Sequence, residues 1–353
     1  MSKFKLKKNV IILSVVVLLL IAGLVILLTR KSGDDNESKE ETKEEEVATP
    51  TPTPNNIKIV DLDSDTRPYA VMINCKTEAL PQAGLQEAYI VYEEMVEGGI
   101  TRMMAIFKDK ELAKIGSARS ARVQYLPYVF ENDAIYVHAG GAKEALNRIK
   151  DESIDDIDVD GKYGQRDMEL AKKRAWEHTL FTNTDLLAKA VLEKKLRSAT
   201  TVKSPLHYSA DEIDLLKYKT ESAEKVSIKY SSYRTSNYEY NKENKYYLRF
   251  MNNQKNTDLV SGEQYHVKNI IVYGVEYKTK VKRGTGYQDP QIYGKGEGYY
   301  ITDGVALPIT WEKTGEKNQT IYRIKETGED LIVNDGNTYI QIYPTNGGKL
   351  TIE

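Results

Sequence analysis

The sequence predicts an α+β protein: a mixed α/β domain over residues 57–215, then a mostly antiparallel β domain over residues 216–353, preceded by one transmembrane helix and a disordered linker. Three observations predict it. A long uncharged apolar run stands near the N-terminus, strand-like and helix-like segments alternate through the first half, and two-residue alternation takes over from Val226. The 353 residues exceed the ~100–200 usual for one domain, which favours two.

The first element is the run Val10–Leu28, VIILSVVVLLLIAGLVILL, without a single charge. As a helix it is roughly 28 Å long, close to the ~30 Å hydrocarbon core of a bilayer. Lys3, Lys5, Lys7 and Lys8 precede it, so residues 1–9 stay cytoplasmic and everything after residue 31 lies outside. A cleaved signal peptide is the rival reading. Its apolar region normally spans about 7–15 residues before a small-x-small site, whereas Leu-Leu-Thr-Arg-Lys follows here.

Residues 29–56 read as a stalk. An acidic stretch opposed only by Lys39 and Lys43 leads into Thr-Pro repeats from Thr49 to Pro54. Such a segment buries too little apolar surface to order itself, and the prolines favour extended geometry.

In the first folded half, Tyr69–Asn74, Ala88–Glu94, Arg102–Phe107 and Ala134–His138 read as strands, the middle pair joined through Glu97-Gly98-Gly99. Lys143–Lys150 and Thr184–Arg197 read as helices, the second capped by Asn183 or Thr184. The second half is a run of strands: Val226–Tyr230, Tyr246–Phe250, Ile270–Tyr277, Gly298–Thr302, Ala306–Trp311, Thr320–Lys325, Asp330–Val333 and Thr338–Tyr343. Asp303-Gly304, Thr327-Gly328 and Asp335-Gly336 stand between several of them as hairpin turns. The 25 Tyr against 5 Phe and 2 Trp suit half-wet sheet surfaces.

Composition excludes some functions. Net charge near −2 argues against nucleic acid as a partner. The one cysteine, Cys75, cannot form an intramolecular disulfide and reads as a small buried thiol. No zinc or EF-hand spacing occurs, so neither metal nor cofactor is expected. The Gly294-Lys-Gly-Glu-Gly298 run lacks the strand-then-helix setting of a nucleotide loop.

Two clusters are candidates for chemistry. Gly116-Ser-Ala-Arg-Ser-Ala-Arg122 precedes an apolar-periodic stretch, so Ser117 or Ser120 could cap a helix beneath Arg119 and Arg122, making an anion site. The bland reading pairs both arginines with local carboxylates such as Glu93 or Glu94. His138 closes a strand just before Ala-Gly140-Gly141, and His178 lies in Arg174-Ala-Trp-Glu-His-Thr-Leu-Phe-Thr. The two histidines, with Glu93, Glu94 or Glu97, could act as general acid and base. The bland reading is a pair of hydrogen-bonded structural histidines.

Met72-Ile-Asn74, Gly84-Leu-x-x-Ala-x-Ile-Val-Tyr92-Glu93, Glu97-Gly-Gly-Ile-Thr-Arg102, Arg119-Ser-Ala-Arg122 and Asp133-Ala-Ile-Tyr-Val-His-Ala-Gly-Gly141 resemble the YerB-like family. So do Gly296-x-Gly298, Gly304, Trp311-x-Lys313, Asn334-x-Gly336-x-Thr-x-Ile340 and Pro344 in the second half. The resemblance implies a two-domain, membrane-attached, lipoprotein-like envelope protein of Gram-positive bacteria, with no reaction assigned. It also implies that Arg102, Arg119, Arg122, His138 and His178 share one cleft.

The expectations are therefore an extracytoplasmic module on a single-pass anchor, binding an anionic or polar envelope polymer through Arg102, Arg119, Ser120, Arg122, Gly140 and Gly141. The alternatives are a hydrolase or transferase on wall polymers using His138, His178 and Glu93, and a scaffold whose partner is another envelope protein.

Overall fold

The computed structural model describes residues 57–282 and 285–353; the expected tail, spanning helix and linker lie outside them. Among the described residues no helix is long and apolar enough to cross a membrane. The described residues are mostly β with few helices, and the first-half strands of the main sheet are β1 (Tyr69–Asn74), β2 (Ile90–Met95), β3 (Thr101–Phe107), β4 (Ile135–His138) and β5 (Asp156–Asp158). Helices α1 (Leu126–Glu131), α2 (Lys143–Asp151) and α3 (Thr184–Lys194) accompany them. Asn183 caps α3 by accepting from Leu186 N–H at 2.8 Å.

The second half supplies β6 (Lys225–Lys229), β7 (Thr235–Asn241), β8 (Tyr246–Met251), β9 (Asn269–Val275), β10 (Gly294–Thr302), β11 (Val305–Lys313) and β12 (Thr338–Pro344). β10 and β11 turn at Asp303-Gly304, both with positive φ (50° and 79°), as a tight hairpin requires. The expected antiparallel character of this half holds for its hairpins but not throughout. β12 lies parallel to β9 on one side and to β2 on the other, so an 11-stranded sheet runs through both halves. The strands beside β12 are not its neighbours in sequence, and long crossovers allow parallel pairing.

Alternation along the strands divides the core between the two faces of this sheet. Ala70, Met72, Tyr92 and Met104 face α1 and α2, while Val71, Ile73, Val91 and Met103 face α3 and the small sheet built on β6, β7 and β8. Two buried ion pairs stitch the halves across these faces. Glu93 on β2 meets Arg249 on β8 at 2.9 Å, both fully buried, and Glu131 on α1 meets Lys313 on β11 at 2.6 Å.

Candidate functional site

The site begins where two parallel strands part. β1 and β4 pair only as far as Val71 and Val137. Beyond that point the segment Ser117–Ala121 wedges between their carboxyl ends. Ser117 O accepts from Asn74 N–H (3.0 Å), Arg119 N–H donates to Met72 O (2.9 Å), and Arg119 O accepts from Ala139 N–H (2.9 Å). Ala121 N–H completes the set on Gly140 O at 2.9 Å. Extended backbone here replaces the expected serine-capped helix. A 3-10 turn starts only at Val123 and α1 at Leu126, neither with a side-chain cap, so no helix terminus serves these arginines. The carboxyl ends of parallel strands are where ligands collect in such sheets, and this wedge sets Arg119 and Ser120 at that edge.

Arg102 lies beneath the wedge, donating to Ser120 O at 2.7 Å, and burial together with neighbouring Arg122 pushes its pKa down to about 10. Arg122 reaches Glu97 Oε1 at 2.7 Å and Ala121 O at 2.8 Å, so Glu97, not Glu93 or Glu94, is its partner. It also walls a cleft of about 300 Å³ shared with Gln124, Arg148, Tyr287 and Tyr293. Arg119 differs. Among the described residues its guanidinium makes one hydrogen bond, to Glu177 O at 3.5 Å, and neither it nor Arg102 has a carboxylate in ion-pair range. Burial and nearby Arg122 and Arg166 lower its pKa, only partly offset by Glu177.

His178 joins the cluster through the same turn. Its Nδ1 accepts from Asn74 Nδ2 at 2.9 Å; the amide orientation is fixed because Asn74 Oδ1 already accepts from Lys76 N–H. The ring proton of the neutral form therefore sits on Nε2, 4.0 Å from Glu177 Oε1. Burial, and then the positive Arg119, lower the His178 pKa, which keeps that neutral form.

Four expected site residues have other duties. Glu93 is no partner for the histidines: its carboxylate takes Thr101 Oγ1, Ser236 Oγ and Arg249 Nη2 inside the seam between the sheets. His138 is enclosed, its Nδ1–H donating to Gly140 O at 2.9 Å, its Nε2 lying 3.3 Å from Asp156 and its ring against Tyr136. Gly140 and Gly141 shape the turn that receives the wedge. Gly140 sits at φ +57°, and a Cβ on Gly141 would strike Leu146 at 2.8 Å.

Sequence reasoning missed Asn74, Arg166 and Trp176 as members of the cluster. Trp176 begins the turn that carries Glu177 and His178, and is 56% exposed. The signal was available in Arg174-Ala-Trp-Glu-His, where an indole stands two residues before a histidine.

Comparison with known proteins fits this architecture. The family described as "Protein of unknown function (DUF3048) N-terminal domain" matches residues 56–197, and its C-terminal domain matches residues 226–340. A Bacillus subtilis (strain 168) protein named "Putative lipoprotein YerB" is 30% identical over 289 residues, covering 80% of this chain and 82% of its own length. A crystal structure of YerB protein from Bacillus subtilis matches with a TM-score of 0.69 at 24% identity, over 81% of this chain and 94% of that one. That second likeness is one of fold.

Proposed function

We propose a function from one premise: this chain belongs to the two-domain DUF3048 family. In this reading the folded part is held at the outer face of a membrane and captures an anionic or polar polymer of the cell envelope at Arg119. Membrane attachment is supported by the relative's name as a lipoprotein and by the apolar run Val10–Leu28, which here would act as a single-pass anchor.

The carrying observation is Arg119 itself. A guanidinium that has lost part of its water and, among the described residues, has no carboxylate in ion-pair range is poised for an anion from outside. Arg102 and Arg166 add positive potential, and the His178 Nε2–H adds a neutral donor. Phosphate and carboxylate groups of envelope polymers match this set. His138 offers no support for a hydrolase or transferase, because it is 1% exposed.

The test is co-sedimentation of the full-length chain in detergent with purified cell walls, intact or stripped of anionic polymer. Arg119→Ala should weaken retention on intact walls about tenfold without shifting the melting temperature, in line with the ~1.5–3 kcal/mol of a charged hydrogen bond. Equal retention of Arg119→Ala and wild type would end the reading. Location is tested separately: proteinase added to protoplasts should digest the chain beyond the stalk, and full protection would contradict it.

A further inference from the structure

We infer that the rim at Arg119 takes an anionic glycan, with Trp176 as the platform for a sugar ring and Arg119 as the seat of that sugar's acidic group. This inference rests on the binding reading above and adds the chemical class of ligand to it.

The chain has two tryptophans, and they differ sharply. Trp311 is buried, its ring 4.9 Å from that of Tyr273, as a core indole should be. Trp176 leaves more than half its surface in water, yet it is held firmly. The Arg166 guanidinium lies 4.9 Å from its ring centroid, and Arg166 Nη1 donates to Trp176 O at 2.6 Å. Asp160 fixes the other arm of Arg166 at 2.7 Å. Thr179 Oγ1 also donates to Trp176 O, at 2.9 Å. Leaving that much apolar surface exposed on a rigid mount forgoes hydrophobic stabilisation, and a pre-positioned aromatic of this kind lowers the ordering cost of a ligand.

The neighbours select the ligand. A pyranose presents a face of C–H groups that packs on an aromatic ring, with hydroxyls at its edge. The next two residues along the turn bring Glu177, whose carbonyl contacts Arg119, and His178, whose Nε2–H is a donor suited to a hydroxyl. Arg166, which lies against the indole, is also a charged neighbour of Arg119, so the indole and the Arg119 guanidinium flank one side chain. A purely neutral glycan would leave Arg119 without a counter-charge, and a bare polyanion would leave Trp176 without a partner.

The experiment uses the full-length chain in detergent and three fluorescein-labelled probes: an oligoglucuronate, maltohexaose and linear polyphosphate. Binding is read by polarisation in wild type, Trp176→Ala, Trp176→Phe and Arg119→Ala. Trp176→Ala should weaken oligoglucuronate about tenfold and polyphosphate less than twofold, with Trp176→Phe in between. In a Trp311→Phe background, unlabelled oligoglucuronate should shift the remaining indole emission to the blue. Unchanged oligoglucuronate affinity in Trp176→Ala overturns the inference; if Arg119→Ala still loses both anionic probes, the binding reading survives without it. Loss in Trp176→Ala with none in Arg119→Ala sinks the role given to Arg119. A wild-type chain that binds neither anionic probe sinks both.

Discussion

The seam between the two sheets and the rim at the end of β1 use the same residue type to opposite ends. In the seam Arg249 is fully buried and closed on Glu93 and Asn256, with Ser236 and Thr101 filling the remaining lone pairs of Glu93. Glu131 and Lys313 repeat the arrangement on the opposite face, with Thr320 as third member. At the rim Arg119 is only partly buried and, among the described residues, has no carboxylate in ion-pair range. A fully enclosed charge must carry its partner with it, whereas a rim charge can stay open to one from solution. Counting arginines would not separate these roles. The company of each guanidinium does.

The comparison breaks first if the seam pair is dispensable. Arg249→Met should strand Glu93 without a counter-charge and lower stability by about 3–5 kcal/mol, measured by urea denaturation. Adding Glu93→Gln to that variant should recover much of the loss, because the uncompensated charge is then gone. A single variant as stable as wild type would mean that the pair does not hold the sheets together.

Glu94 sharpens the contrast, being buried with no cation in ion-pair range among the described residues. Burial pushes its pKa up to about 7 from 4.5, against the opposing bonds that Tyr128 and Gln124 donate to it. A raised carboxyl pKa means that the folded chain keeps a proton that the unfolded chain loses above pH 4.5. Stability from this group is therefore present below pH 4.5 and drains away as pH rises to about 7, by about 3 kcal/mol at 1.36 kcal/mol per unit. Glu94→Gln should flatten that part of the melting-temperature profile and raise stability at pH 8. An unchanged slope between pH 4.5 and 7 would show that Glu94 ionises freely.

Much of the fold was legible because its elements are local. β1 and the Asn183-capped α3 follow from alternation and capping residues within a few positions. The joining of the halves was not legible, since Glu93 and Arg249 stand 156 residues apart and β12 borrows β2 as a neighbour. The site was half legible. Arg102, Arg119, Ser120 and Arg122 do lie together, but the Ser117–Ala121 segment has a helix-start composition overridden by hydrogen bonds to Met72, Asn74 and Ala139. Glu93 misled because strand alternation turns its carboxylate to the opposite face of the sheet from Arg102, toward β8. Trp176 was in plain view, but only its exposure distinguishes it from Trp311.

The smallest expected effect tests the rim itself. Holding Arg119 partly out of water, beside Arg122 and Arg166, works against its charge; Glu177 offsets only part of this. Arg119→Met keeps the length and apolar stem of the side chain while removing the charge. Its stability should equal or slightly exceed that of wild type, by no more than about 0.5 kcal/mol, as for substitutions away from core features. The same variant should lose its response to anions: polyphosphate that raises the wild-type melting temperature by mass action should leave Arg119→Met where it was. If Arg119→Met instead destabilised the chain like Arg249→Met, the rim arginine would be a second structural charge, and the distinction between seam and rim would collapse.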